Sequence, residues 1–216
     1  MNGDERAVRL GHQLRRLRQR KDLRPARVAE AVACDRSYAS TPLLRAQLLG
    51  WAQLRALARL GERSEALRVL AEAADQLTKD PNGGTPGRFG FDQAEFELHA
   101  AEAHLALDQP EDAAPHAEAS VSLKDPGSNG WAAGMLTLAR IDARQDRPDQ
   151  AAGRGLLVLA TLPLGRLRET NRRRAIALGR LLGERPTTPQ GQEFRERIRE
   201  LPPAPALPSV EPRATP

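Results

Sequence analysis

Three helical spacings gather chemistry-bearing side chains onto common faces. Trp51, Arg55 and Arg59 recur at i, i+4 and i+8; Glu95, Leu98 and Glu102 at i, i+3 and i+7; Leu136, Arg140 and Arg144 at i, i+4 and i+8. Residues three or four apart are neighbours on a helix surface, so each triplet marks one face. An indole supplies a rigid aromatic anchor and a guanidinium a two-pronged clamp for carboxylate. Such side chains suit a peptide, protein or small effector. The alternative is ordinary core and surface, with Trp51 packed against the N-terminal segment. Glu95, His99 and Glu102 also have a spacing that points three ligands toward a metal. A polar helix face is the preferred reading, since His104 and His116 are not aimed at one point, and no metal or cofactor is expected.

The sequence holds little else that would carry a reaction. It has no Ser/His/Asp order, no paired-carboxylate signature and no CxxC. The glycine-rich "NGGTPG" lacks the following lysine and the strand-to-helix setting of a phosphate-cradling loop, so it reads as a connector and the chain as a non-enzyme. Cys34 is the single cysteine, which excludes an intramolecular disulfide, and it is expected to be a small packed residue in a turn. The N-terminus lacks the apolar core of a signal peptide. The longest apolar run, "GLLVLATLPLG", is far too short for a bilayer. No membrane partner is expected, and the location is read as cytoplasmic.

Helices must position these residues. Aromatics are 3% of the 216 residues, and Ala, Leu, Arg and Glu dominate, so helix propensity outweighs strand propensity throughout. Leu44, Leu48, Trp51, Leu54, Leu57 and Leu60 predict about five amphipathic turns ended by Gly61. A second helix follows with Ala66, Leu70, Ala73 and Leu77. After the loop "TKDPNGGTPGRFG" come two more pairs, about Asp92–Leu107 with a partner to Leu123, and Trp131–Arg144 with Ala151–Ala160. A basic helix is predicted from about Arg166 to Leu182, then a short one from Pro189 to Leu201 behind a Thr188 cap. The last residues, "PPAPALPSVEPRATP", are too Pro-rich to pack and read as a disordered tail.

The turns repeat. Gly61/Ala66, Asp108/Ala113 and Asp146/Ala151 each place a turn residue five positions before an alanine, the pattern of helical hairpins that approach too closely for a larger side chain. Over roughly 43–160 this resembles tetratricopeptide repeats. The spacings of 47 and 38 residues exceed the usual ~34. Ala117 and Gly155 stand where that pattern has a large apolar residue. The resemblance puts Trp51, Arg55, Arg59, Glu95, Leu98, Glu102, Leu136, Arg140 and Arg144 at the concave-face positions of first-arm helices, and so implies that they line a recognition groove, with a terminal capping pair over 165–201.

Charge divides the chain. Residues 1–40 carry ten Arg/Lys and five Asp/Glu, 41–165 carry twelve and seventeen, and 166–200 carry ten and five. A basic end on an acidic middle fits a nucleic-acid footprint joined to a protein-binding body; it fits equally a chain that folds its ends over its own middle. The stretch "LGHQLRRLRQRKDLRPARVAEAVACDRSYAS" resembles the first three helices of the Xre or phage-repressor type helix-turn-helix. On that resemblance Arg36, Ser37 and Tyr38 face base edges and Arg24 and Arg27 touch phosphate. The pattern stops after Ser40, where Thr41-Pro42 opens a repeat-type helix, so the head looks truncated and must dock on residues 43–60 or stay loose.

The expected fold is all-α: a partial helix-turn-helix over 1–40, irregular tetratricopeptide-like repeats over 43–160, a basic helical capping pair over 165–201 and a disordered tail over 202–216. The resemblances, to a class of actinobacterial regulators, imply a transcriptional-regulator-like protein whose repeats recognise an effector or partner, with weak or residual DNA contact. The alternatives are a protein-interaction adaptor that does not bind DNA, such as a truncated relative that associates with its full-length kin, and a truncated non-functional remnant of such a regulator; a homo-oligomer is a further expected partner state.

Overall fold

The computed structural model describes residues 41–80, 91–183 and 188–201. The partial helix-turn-helix, with Arg24, Arg27, Cys34, Arg36, Ser37 and Tyr38, lies outside the described residues, as do most of the glycine-rich loop and the Pro-rich tail. The described residues are all-α, with eight helices and no strand among them.

Helix α1 has three parts: Pro42–Gln47, a π-helical segment Leu48–Gln53, and Leu54–Arg59. It is followed by α2 (Arg63–Thr78), α3 (Gln93–Ala106), α4 (Pro110–Ser122), α5 (Asn129–Arg144) and α6 (Pro148–Thr161). A 3-10 turn, Leu164–Arg166, leads into α7 (Glu169–Gly183), and α8 (Pro189–Arg199) ends the array. Successive pairs form antiparallel hairpins. The first arms α1, α3, α5 and α7 pack side by side, and α8 stacks on α6 as α7 does on α5. The basic segment after residue 165 is thus a fourth hairpin laid on the third.

The repeat read from the turns has a common backbone geometry. Gly61, Asp108 and Asp146 all have positive φ, at 74°, 58° and 61°. In each turn the next residue donates its N–H to a carbonyl five positions back, Glu62 to Leu57, Gln109 to His104 and Arg147 to Asp142, at 2.9 to 3.1 Å. This is the bond that closes a helix through a left-handed residue. Each repeat alanine in turn donates to the residue four before it, Ala66 to Glu62, Ala113 to Gln109 and Ala151 to Arg147. All three alanines are fully buried. Their methyl groups set how closely the paired helices approach.

First and second arms start differently. Thr41, Asp92 and Ser128 cap α1, α3 and α5 by accepting the N–H three residues on, which satisfies one of the orphan donors of a helix start. Second arms α2, α4 and α6 have no side-chain cap, because the turn already supplies the entry; Pro110 and Pro148 occupy the first positions of two of them. Thr188 caps α8 as the sequence predicts. Helix α5 begins at Asn129, two residues before the expected Trp131, since Ser128 provides the cap.

The apolar stripe of α1 departs from expectation. Leu44 and Leu48 are only partly buried, and Trp51 and Leu60 are exposed, whereas Ala46, Leu49, Gly50 and Gln53 are buried beside Leu54 and Leu57. The π segment is the reason. Its wider turn, seen in the Leu54 N–H bonded to the Leu49 carbonyl, adds a residue and shifts the phase of the buried face. Gly50 then meets α3 closely, where an added Cβ would lie 3.4 Å from Phe91 and 3.6 Å from Phe96.

Helices α3 and α5 are buried nearly all round, as central elements of a stack must be. One core cluster joins α1, α2 and part of α3, and another runs from α3 to α8. Phe194 of α8 is fully buried against Gly155 of α6, where a Cβ would sit 2.5 Å from its ring. A small residue at 155 is therefore what lets the fourth hairpin dock on the third.

Two substitutions test this framework by urea denaturation. Ala113→Leu forces extra methylenes between α3 and α4 and is expected to cost about 1–3 kcal/mol. Gly61→Ala meets no atom within 4 Å, so its expected loss of roughly 1 kcal/mol reports the left-handed turn alone.

Candidate functional site

The inner ends of the first arms enclose two adjoining cavities that share Arg55. The larger, about 250 Å³, lies between α1, α3, α5 and α7, and the smaller, about 90 Å³, lies between α1, α3 and α5. Trp51, Glu95 and Leu98 line the larger cavity; Arg59, Glu102 and Arg140 line the smaller. Six of the seven polar and aromatic groove residues expected from the sequence, Arg55 among them, thus converge on one region. Arg144 does not: it sits at the α5 terminus, paired to Asp108 of the preceding turn at 2.8 Å. Leu136 is fully buried in the core and lines neither cavity, because close packing of α5 turns that position toward its neighbours.

Glu102 is the electrostatic centre. Its side chain retains 12% exposure and accepts from Arg174 Nε and Nη2 at 2.9 and 2.7 Å. Arg55 Nε stands 3.7 Å from its other oxygen. Burial opposes ionisation of Glu102, but the adjacent His99 ring and the charges of Arg174 and Arg55 outweigh it and hold the carboxyl well below the usual range. Burial likewise lowers Arg55 and Arg140, and the Glu102 charge works against that shift in both. Arg140 forms no ion pair or hydrogen bond with another described residue.

A second network aims Arg174. Asn129 Oδ1 accepts from the Arg168 backbone N–H at 2.9 Å, and Asn171 Nδ2 donates to the Asn129 carbonyl at 2.8 Å. Asn171 Oδ1 in turn accepts from Arg174 Nη1 at 3.1 Å. The start of α7 is therefore tied to the start of α5, and its guanidinium is directed across the stack to α3. Nothing in the local run "NRRR" marks Arg174 as the inward residue. Arg173 is exposed and Arg172 is buried beside Glu169, so the phase of α7 against α5 decides which arginine enters the site.

His99 lies parallel to Trp51 on one contact and to Phe91 on another, with ring centroids 6.0 and 6.4 Å apart and interplanar angles of 14° and 10°. Its Nε2 is 3.8 Å from Glu95 and its Nδ1 is 3.7 Å from Glu102, both beyond hydrogen-bond distance. Glu102 is occupied by Arg174, and among the described residues no group of three His, Cys, Asp or Glu is arranged to hold a metal. His104 and His116 correct an expectation. They stack 5.4 Å apart, and His116 Nδ1 meets Glu97 at 2.6 Å, because the α3–α4 turn brings their two helices into contact. No described helix is long and apolar enough to cross a membrane.

Glu102→Gln leaves Arg174 without its counter-charge and is expected to cost about 3–5 kcal/mol in denaturant unfolding. The depressed carboxyl also sets the sign of the pH dependence. Its contribution is complete above the ordinary glutamate value of 4.5 and is lost as pH falls below that toward the folded value. Acid titration should therefore destabilise the parent chain more steeply below pH ~4.5 than the Gln variant.

The chain matches no family model, no curated protein and no solved structure.

Proposed function

We propose that the chain is a recognition protein of the regulator type, in which tetratricopeptide-like hairpins bind an anionic peptide, protein segment or small effector and the basic segment 1–40 contributes weak DNA contact from the cytoplasm. The observation that supports groove recognition is the convergence of Trp51, Arg55, Arg59 and Arg140 on two adjoining cavities, with one deeply seated carboxylate, Glu102, among them. Cations in excess of acids at a partly desolvated surface attract carboxylate, and an exposed indole adds contact area at low entropic cost. The DNA part rests on the basic balance of residues 1–40 and on their resemblance to the helix-turn-helix, with Arg24, Arg27, Arg36, Ser37 and Tyr38 in the contact roles.

An adaptor without DNA binding is the second reading, favoured by one fact: among the described residues, those that line these two cavities lie between 51 and 174, in the repeats and the first helix of the capping pair.

Two measurements separate these readings. Duplex affinity of the full chain should fall steeply from low to moderate salt, and deletion of residues 1–40 should abolish it; equal binding by the shortened chain rejects the head as the DNA contact. In a screen of the full chain against acidic and basic peptides, acidic sequences should be retained and Arg55→Ala should weaken them by roughly tenfold, about 1.4 kcal/mol. Indifference to both peptide charge and Arg55 rejects the groove.

A further inference from the structure

The larger cavity has features that a general peptide groove does not need. At about 250 Å³ it is slightly below the ~300–1,000 Å³ of ordinary ligand pockets, a size suited to one small molecule or one side chain rather than a length of chain. Its lip carries Trp51, 42% exposed and already parallel to the His99 ring, so the aromatic stack is open to extension at the indole. Flat rings prefer offset stacking of this kind, worth ~0.5–1.5 kcal/mol beyond burial.

Three guanidiniums face the same space. Arg174 is committed to Glu102 and Asn171, whereas Arg55 stands at 3.7 Å from Glu102. The Arg168 side chain is exposed and forms no ion pair with a described residue; its backbone N–H is engaged by Asn129, and its carbonyl accepts from Asn171 and Arg172. Against these cations the lining holds one carboxylate, Glu95. His99 Nδ1 and Glu102 Oε2, buried without a hydrogen-bond partner, lie 3.7 Å from each other, and Glu102 lines the smaller cavity.

We infer that this cavity is a binding site for a small planar aromatic carboxylic acid, its ring stacked on Trp51 and its carboxylate held by Arg168 and Arg55. The inference rests on the recognition reading above and narrows it. The π-helical turn of α1 is part of the design: by shifting the buried face it leaves Trp51 at the lip instead of in the core. Neutral rings lack the charge-assisted bonds, and aliphatic acids lack the stacking surface; the site selects for both features in one molecule.

The test uses the full chain labelled with nitrogen-15, in which Trp51 and Trp131 are the only indoles. Trp51→Phe assigns their side-chain signals. Titration with 2-naphthoate should move the Trp51 indole signal saturably and leave that of Trp131, which is buried in the core, in place. The neutral 2-naphthamide and cyclohexanecarboxylate should each bind roughly tenfold more weakly, about 1.4 kcal/mol. Arg168→Gln should produce a loss of about the same size without changing the melting temperature, because that side chain makes no ion pair to lose; Arg55→Gln gives the second check on the carboxylate seat. Equal binding of the amide, or no effect of either arginine variant, overturns the acid assignment. Absence of any saturable Trp51 shift overturns the site. Capture of acidic peptides that 2-naphthoate does not displace overturns this inference while leaving groove recognition standing.

Discussion

Close approach of paired helices is the constraint on which the rest of the structure depends. A left-handed residue at 61, 108 or 146 reverses the chain in the smallest space a helix end allows, and an alanine five positions later is the largest side chain that sits beneath the reversal without holding the helices apart. Once that geometry is set, each hairpin presents one first arm and one second arm to its neighbour, and stacking buries what a single hairpin cannot. The chain is rich in alanine and poor in aromatics, so its core is made from short contacts between backbones more than from large interlocking side chains. Phe91, Phe96 and Phe194 are exceptions, and Phe91 and Phe194 are accommodated by the adjacent glycines 50 and 155.

Charge then distinguishes the faces of the stack. The acidic middle and basic C-terminal segment are partners within this chain: α7 lies on α5, and its Arg174 crosses to Glu102 of α3, 72 residues earlier. A buried pair of this kind contributes little net stability when compared with apolar packing, yet removing one partner is costly, so it fixes the seating of the fourth hairpin more than its strength. The same carboxylate leaves Arg140 and Arg59 without an ion pair to a described residue. Cations outnumber acids at this face, an imbalance that the fold itself creates.

The hairpin boundaries were legible in the sequence because they depend on local chemistry. Pro42, Pro110, Pro148 and Pro189 at helix starts, the turn residues at 61, 108 and 146 and the Thr188 cap act within a few residues of themselves. The residues that line the two cavities were legible in part: Trp51 to Arg59 and Glu95 to Glu102 share faces by helical spacing, and the repeat resemblance put those faces on the first arms. The stripe of α1 was misread, since a π turn shifts the helical period and nothing in "LLGWAQ" announces it. Leu136 and Arg144 share a face with Arg140, but face membership does not say which turn of a helix reaches a cavity.

What the sequence by itself determined is the all-α class and the hairpin register, because propensity, capping and turn conformation are set by near neighbours. The tertiary structure alone decided that Arg174 rather than Arg172 or Arg173 faces Glu102, that Trp51 stands at a cavity lip and that His104 meets His116. Those outcomes depend on the rotation of each helix about its axis and on its contact with helices distant in the chain, and such phases are chosen by packing the whole array at once.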